Sequence, residues 1–103
     1  MVTATFIFRP KAEDADFHSL NDVIRQVAVS SAGYLGRKAW QDGTGLEAVV
    51  YYWESRAHLD VFRKDATHQM AKSRYKEWYA GYRIEIAEVL EARGDALFKD
   101  WLS

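Results

Sequence analysis

The stretch Asp42-Gly43-Thr44-Gly45, followed by Leu46-Glu47-Ala48-Val49-Val50-Tyr51-Tyr52-Trp53-Glu54, decides how the rest of the chain is read. Its second part is a run of β-branched and aromatic residues. Such a run fits a pleated strand covered on both faces, which makes residues 46–54 a central strand. Its first part is a turn, because the two glycines supply the positive φ angles that tight connections require. The segment just before the turn, residues 34–41, is a strand of matching length. Residues 34–54 therefore form a hairpin.

Working outward, residues 2–9 alternate as a strand, with Phe6 and Phe8 on one side and Thr5 and Ile7 on the other. Pro10, the single proline, cannot donate to a ladder and ends that strand. Residues 14–32 place Phe17, Leu20, Ile24, Val27 and Ala28 at three- and four-residue spacing, the mark of an amphipathic helix. Asp14 or Asp16 caps its start, and Gly33 lies where a left-handed residue ends it.

Beyond the hairpin, Ser55 caps a short helix carrying Leu59 and Phe62. Asp65 caps a second helix over 66–80, with Met70, Ala71, Tyr75, Trp78 and Tyr79. Gly81 breaks that helix. Residues 82–91 form a fourth strand in which Tyr82, Ile84 and Ile86 alternate with Arg83 and Glu85. Leu97, Phe98 and Trp101 mark a C-terminal helix over 94–102 that packs on something. The expectation is one domain over 1–103, with its core in 2–91.

The order β-α-β-β-α-β defines an α+β, ferredoxin-like unit, a four-stranded antiparallel sheet with helices on one face. The other face would then carry Tyr, Trp and Ile with nothing over it. An apolar surface of that extent calls for a cover. The physical expectation is a homodimer in which two sheets meet face to face.

Composition narrows the function classes. A net charge of −1, with basic residues interleaved among acids as in Arg63-Lys64-Asp65 and Lys76-Glu77, excludes the clustered cations that nucleic-acid binding needs. The absence of cysteine excludes disulfides and thiolate metal sites. No apolar run reaches membrane-spanning length, and Met1-Val2-Thr3-Ala4-Thr5 lacks the pattern of a secretory leader, so the expectation is a cytoplasmic protein that does not engage membranes. Four Trp, six Tyr and five Phe exceed what so small a core requires, which points to a pocket or a dimer face.

Tyr52-Trp53-Glu54-Ser55, followed by Leu59, Phe62, Asp65, His68, Ala71, Trp78-Tyr79 and Tyr82, resembles the third strand, helix and fourth strand of antibiotic-biosynthesis monooxygenase domains. Gly33-Tyr34-Leu35-Gly36 resembles the G-[FY]-L-G start of the second strand in that family. The likeness spans roughly residues 2–91. It implies a dimeric α/β barrel with a small pocket in each protomer, between the sheet and its helices. Some members oxygenate phenols or quinols with neither metal nor flavin; others degrade heme. The heme-degrading members carry an Asn, a Trp and an iron-ligating His at positions that fall here on Phe8, on Phe62 and near Ala71 or Lys72, so that chemistry is not expected in the same form.

His68 is the expected catalytic residue. It lies three residues after Asp65 on the element that borders the family's pocket, and imidazole titrates close to neutral pH, as a proton acceptor should. Phe6, Phe8 and Phe62 are expected to wall the pocket for a small aromatic molecule. Arg9, Trp53 and Trp78 complete the expected substrate-binding set, Arg9 as a partner for an anionic group. His18 and His58 read as surface helix residues, and no His-x-x-x-His spacing marks a metal site, so no metal or cofactor is expected. The reading favoured by the residues and the resemblance is a cofactor-independent monooxygenase acting on a small aromatic or quinol-type substrate. The alternatives are a non-catalytic ligand-binding or stress-related module on the same fold, and a heme-binding protein that uses His68.

Overall fold

The computed structural model describes every residue except 12, 13, 72, 74 and 103, and describes only the backbone at His68 and Ala71. The elements run β1 (Val2–Pro10), α1 (Ala15–Val29), β2 (Tyr34–Gln41), β3 (Glu47–Trp53), α2 (Arg56–Ala71), α3 (Tyr75–Trp78) and β4 (Tyr79–Glu88), ending in a 3-10 turn at Ala96–Phe98. The sheet is antiparallel in the order β2-β3-β1-β4, which is the ferredoxin-like β-α-β-β-α-β arrangement. The apolar run at its centre is β3, hydrogen-bonded to β2 on one side and β1 on the other.

Local chemistry sets most boundaries. Asp14 is the N-cap of α1, its carboxylate accepting from the Phe17 backbone N–H at 2.9 Å. Ser55 Oγ accepts from the His58 N–H at 3.3 Å at the start of α2. Gly33 adopts φ 81°, and its missing side chain makes room for the His58 ring, which a Cβ there would overlap. In the hairpin loop, Gly43 and Gly45 also take positive φ, while Asp42 gathers the Thr44 and Leu46 N–H groups onto one carboxylate oxygen.

Three expectations from the sequence are corrected. Asp65 is an interior residue of α2, which continues unbroken through it to Ala71; with apolar residues already in helical register on both sides of Asp65, the chain has no reason to restart there. The expected 66–80 helix ends at Ala71 and resumes only as the single turn α3, so Tyr79 opens β4, opposite Pro10, and Gly81 is a strand residue opposite Arg9. Where a helix over 94–102 is expected, the chain makes one 3-10 turn capped by Asp95.

The pleat divides the sheet cleanly. Val2, Ala4, Phe6 and Phe8 pair with Trp53, Tyr51, Val49 and Glu47, and their side chains meet the helices. The core forms in two parts. One joins Val2, Ala28, Trp53, Leu59 and Phe62. The other joins Phe8, Phe17, Leu20, Trp78 and Tyr79. The opposite face presents Thr3, Thr5 and Ile7 of β1 beside Tyr52, Val50 and Ala48 of β3. Along β2 the chain's own end lies on that face: the Trp101 ring stacks on Trp40 at 6.0 Å, Lys38 Nζ sits 4.3 Å from the Trp101 ring centroid, and Leu102 fills the space above Gly36. Along β4 the same face is charged, with Arg83 and Glu85 paired at 2.8 Å. The strip left between them is the apolar centre formed by β1 and β3. No helix among the described residues is long and apolar enough to cross a membrane.

Candidate functional site

Between the two parts of the core the packing does not close, and a cavity of about 900 Å³ remains between the sheet and its helices. Protein interiors rarely tolerate voids much larger than a water molecule, whereas ligand sites span several hundred Å³. The residues that leave it open are small: Ala4 on β1, Ala39 on β2 and Ala66 on α2 line it where a larger side chain would fill it. Its walls are aromatic. Phe6 and Phe8 stack at 5.2 Å, Tyr79 meets both edge-on, and Phe62 packs at 5.4 Å from the Tyr51 ring. Helix α2 contributes a stripe at three- and four-residue spacing, Leu59, Phe62, Arg63, Ala66, Thr67 and Met70, as an amphipathic helix over a sheet must.

The polar groups on the cavity are few. His18 and Asn21 come from α1, Arg63 and Thr67 from α2, and Arg37, Gln41, Glu47 and Tyr51 from the β2–β3 hairpin. Burial pushes the Tyr51 phenol up from its ordinary value of 10.0, and the neighbouring Arg37 guanidinium pulls it back only in part. Tyr51 therefore stays protonated at neutral pH and acts as a hydrogen-bond donor. Arg37 lies with its guanidinium carbon 5.9 Å from the Tyr51 ring centroid.

Of the residues expected at the site, Phe6, Phe8 and Phe62 come together on the cavity wall. Trp53 and Trp78 lie behind that wall: Trp53 is fully buried, 4.8 Å from the Phe62 ring, and Trp78 packs edge-on against Phe17 at 5.7 Å. The Trp53 indole N–H is buried with no acceptor among the described residues, consistent with a packing position. Arg9 is turned to the hairpin loop, where its Nη1 donates to the Thr44 carbonyl at 3.1 Å. His68 belongs to α2, but its side chain lies outside the described residues. His18, read from the sequence as a surface residue, borders the cavity beside Phe17. His58 is half-buried, its Nδ1 2.7 Å from Ser55 Oγ. Among the described residues no group of His, Asp and Glu is arranged to hold a metal ion.

Arg37 and Tyr51 escape the sequence reading for a geometric reason. The ladder shifts between Tyr34, opposite Trp53, and Gly36, opposite Tyr52, so that Arg37 falls opposite Tyr51. This bulge reverses the alternation of β2. Strict alternation from Tyr34 would send Lys38 and Trp40 toward the helices; instead Arg37, Ala39 and Gln41 face the cavity, and Lys38 and Trp40 face Trp101.

No family model matches the chain. An uncharacterized Bacillus subtilis protein, YqjZ, is 30% identical over 64 residues, a match that covers 61% of this chain and 56% of that protein. Solved structures match over nearly the whole fold. Rv0793 from Mycobacterium tuberculosis has a TM-score of 0.71 at 15% identity, over 90% of this chain and 98% of its own. SnoaB, a cofactor-independent oxygenase from Streptomyces nogalater, has a TM-score of 0.70 at 9% identity, over 91% of this chain and 97% of its own. A crystal structure described as an antibiotic biosynthesis monooxygenase has a TM-score of 0.66 at 14% identity, over 88% of this chain and all of its own. The fold implied by the sequence resemblance is thus the fold of this chain, shared with antibiotic biosynthesis monooxygenase structures.

Proposed function

We propose that this chain is a cofactor-independent monooxygenase of the antibiotic-biosynthesis monooxygenase type, taking a small aromatic or quinol-type substrate into the cavity between sheet and helices. The observation that carries this reading is the cavity itself: about 900 Å³, walled by Phe6, Phe8 and Phe62, on the fold of a cofactor-independent oxygenase. Flat aromatic walls match a flat apolar substrate. In the reaction a base removes a proton from the electron-rich substrate, and the resulting carbanion gives electrons to dioxygen. A carbon–oxygen bond forms as a hydroperoxide, which loses water to leave a ketone or quinone. One oxygen atom enters the product and the other leaves as water.

Two histidines are proposed for the proton. His68 is the one indicated by the sequence; His18 is the one that borders the cavity. Arg9, Trp53 and Trp78, the remainder of the set expected to bind substrate, act in this reading as supports of the wall and of the hairpin loop. The active unit is a homodimer whose protomers meet through the apolar centre of the open sheet face.

The test is oxygen uptake by metal-stripped protein over a panel of quinols and polycyclic phenols, for the wild type, His18→Ala, His68→Ala and the cavity-filled Ala66→Phe. Uptake abolished in Ala66→Phe and reduced at least tenfold in one histidine variant is expected, a loss in the range of general-base catalysis. Uptake indifferent to Ala66→Phe would remove the cavity from the reaction. Binding without uptake on any member of the panel would favour the non-catalytic ligand-binding module.

A further inference from the structure

The charged groups on the cavity are unbalanced. Arg37 and Arg63 both line it, and neither has a carboxylate partner among the described residues. Glu47 is the one carboxylate on the lining among those residues, and its Oε1 already accepts from Gln41 Nε2 at 3.3 Å. Arg37 stands against Tyr51 across adjacent strands, held by the bulge in β2 that turns it to this side. The guanidinium lies close enough to lower the phenol's pKa, so a guanidinium fork and a phenol O–H stand at one place, a pair suited to two oxygens of one anion.

We infer that the cavity selects an aromatic ligand bearing an acidic oxygen group, with that group seated against Arg37 and Tyr51 and the ring plane between Phe6, Phe8 and Phe62. The inference rests on the aromatic-cavity reading above and adds to it the charge of the ligand and the residues that read it. Arg37 is exposed at the edge strand, so it meets an anion before the rings enter, and Tyr51 is half-buried, where its donor gains strength as water leaves. Arg37 is a specificity-determining residue in this arrangement, and Tyr51 completes the seat.

The probes are 2-naphthoate and its neutral isostere 2-naphthamide, titrated calorimetrically at pH 7.5 and low salt into the wild type, R37Q, R37K and Y51F. Ala66→Phe verifies that heat comes from the cavity. The wild type is expected to bind naphthoate at least tenfold more tightly than naphthamide, the ratio one charge-assisted pair supplies. In R37Q the preference falls to about twofold or less, with naphthamide binding unchanged, because the lost interaction belongs to the charge alone. R37K, which keeps the charge without the fork, retains part of the preference, and Y51F loses a smaller part. Equal binding of the two probes by the wild type, or a preference that survives R37Q, overturns the inference and leaves the aromatic cavity standing. Failure of both probes to bind overturns the aromatic cavity and this inference with it.

Discussion

The two faces of the sheet are built from the same strands and do opposite things. On the helix side, Phe6, Phe8, Tyr51 and Trp53 make a core in two parts with a cavity between them. On the open side, Thr5, Ile7, Val50 and Tyr52 make a largely apolar strip, bordered by the Trp101–Trp40 stack along β2 and by the Arg83–Glu85 pair along β4. The first face is concave because alanines sit among aromatics. The second has no helix over it and carries Thr5, Ile7, Val50 and Tyr52 along β1 and β3. A cavity with aromatic walls suits a small molecule, and an uncovered apolar strip suits another apolar surface. The chain's own C-terminal residues lie along one border of the open face, at Trp40 and Gly36.

That contrast can be broken from either side. Phe62→Ala removes a buried ring shared by the Trp53 and Tyr51 contacts. It is expected to cost about 3–5 kcal/mol in urea unfolding, as for other buried aromatics. A loss under about 1 kcal/mol would mean that the helix face is not the core.

On the open face, Val50→Asp places a carboxylate in the middle of the apolar strip. It is expected to weaken dimerisation by about a hundredfold or more, read by analytical ultracentrifugation with circular dichroism confirming the fold. A sedimentation profile identical to the wild type across micromolar concentrations would take the dimer off this face.

Ala66→Phe sharpens the comparison, since it fills a void rather than the core. It is expected to change stability by about 1 kcal/mol or less while abolishing binding of aromatic probes. Trp101→Ala opens the Trp40 side of the open face and is expected to cost about 1–3 kcal/mol, the worth of its two aromatic pairs with Trp40 and Phe98.

The smallest effect lies in the hairpin loop. The Thr44 and Leu46 N–H groups and the Thr44 hydroxyl hold the Asp42 carboxyl below its ordinary value of 3.8. A lowered folded pKa contributes stability above the ordinary value and loses it as pH falls through the lowered one. Asp42→Asn is therefore expected to lower the melting temperature slightly above about pH 4, where the wild-type carboxylate is charged, and to converge with the wild type as pH falls through the lowered value, which leaves a flatter acid limb. An unchanged acid limb would show that the loop contributes nothing to it.

Much of the fold could be read from local chemistry because local chemistry makes it. The hairpin follows from glycines at Gly43 and Gly45 and a β-branched run behind them. The first helix follows from Asp14 and the spacing of Phe17, Leu20 and Ile24. The aromatic wall at Phe6, Phe8 and Phe62 followed from alternation on one strand and from the family resemblance. The sequence places a helix start at Asp65, inside what is one continuous α2, because an Asp has the same side chain whether it caps a helix or lies exposed in the middle of one. Arg9 reads from the sequence as a partner for an anionic group, and nothing in its neighbours tells that its Nη1 will donate to the Thr44 carbonyl, far along the chain.

What the sequence by itself determined is the β-α-β-β-α-β order and the side of β1 that is apolar, since these depend on residue type and period. What only the tertiary structure decided is the phase of β2. One bulge between Tyr34 and Gly36 turns Arg37 toward the helices and Trp40 toward the C-terminal segment. A one-residue slip costs little locally and exchanges the two faces completely, so the polar end of the cavity is set by long-range pairing rather than by any residue's own preference.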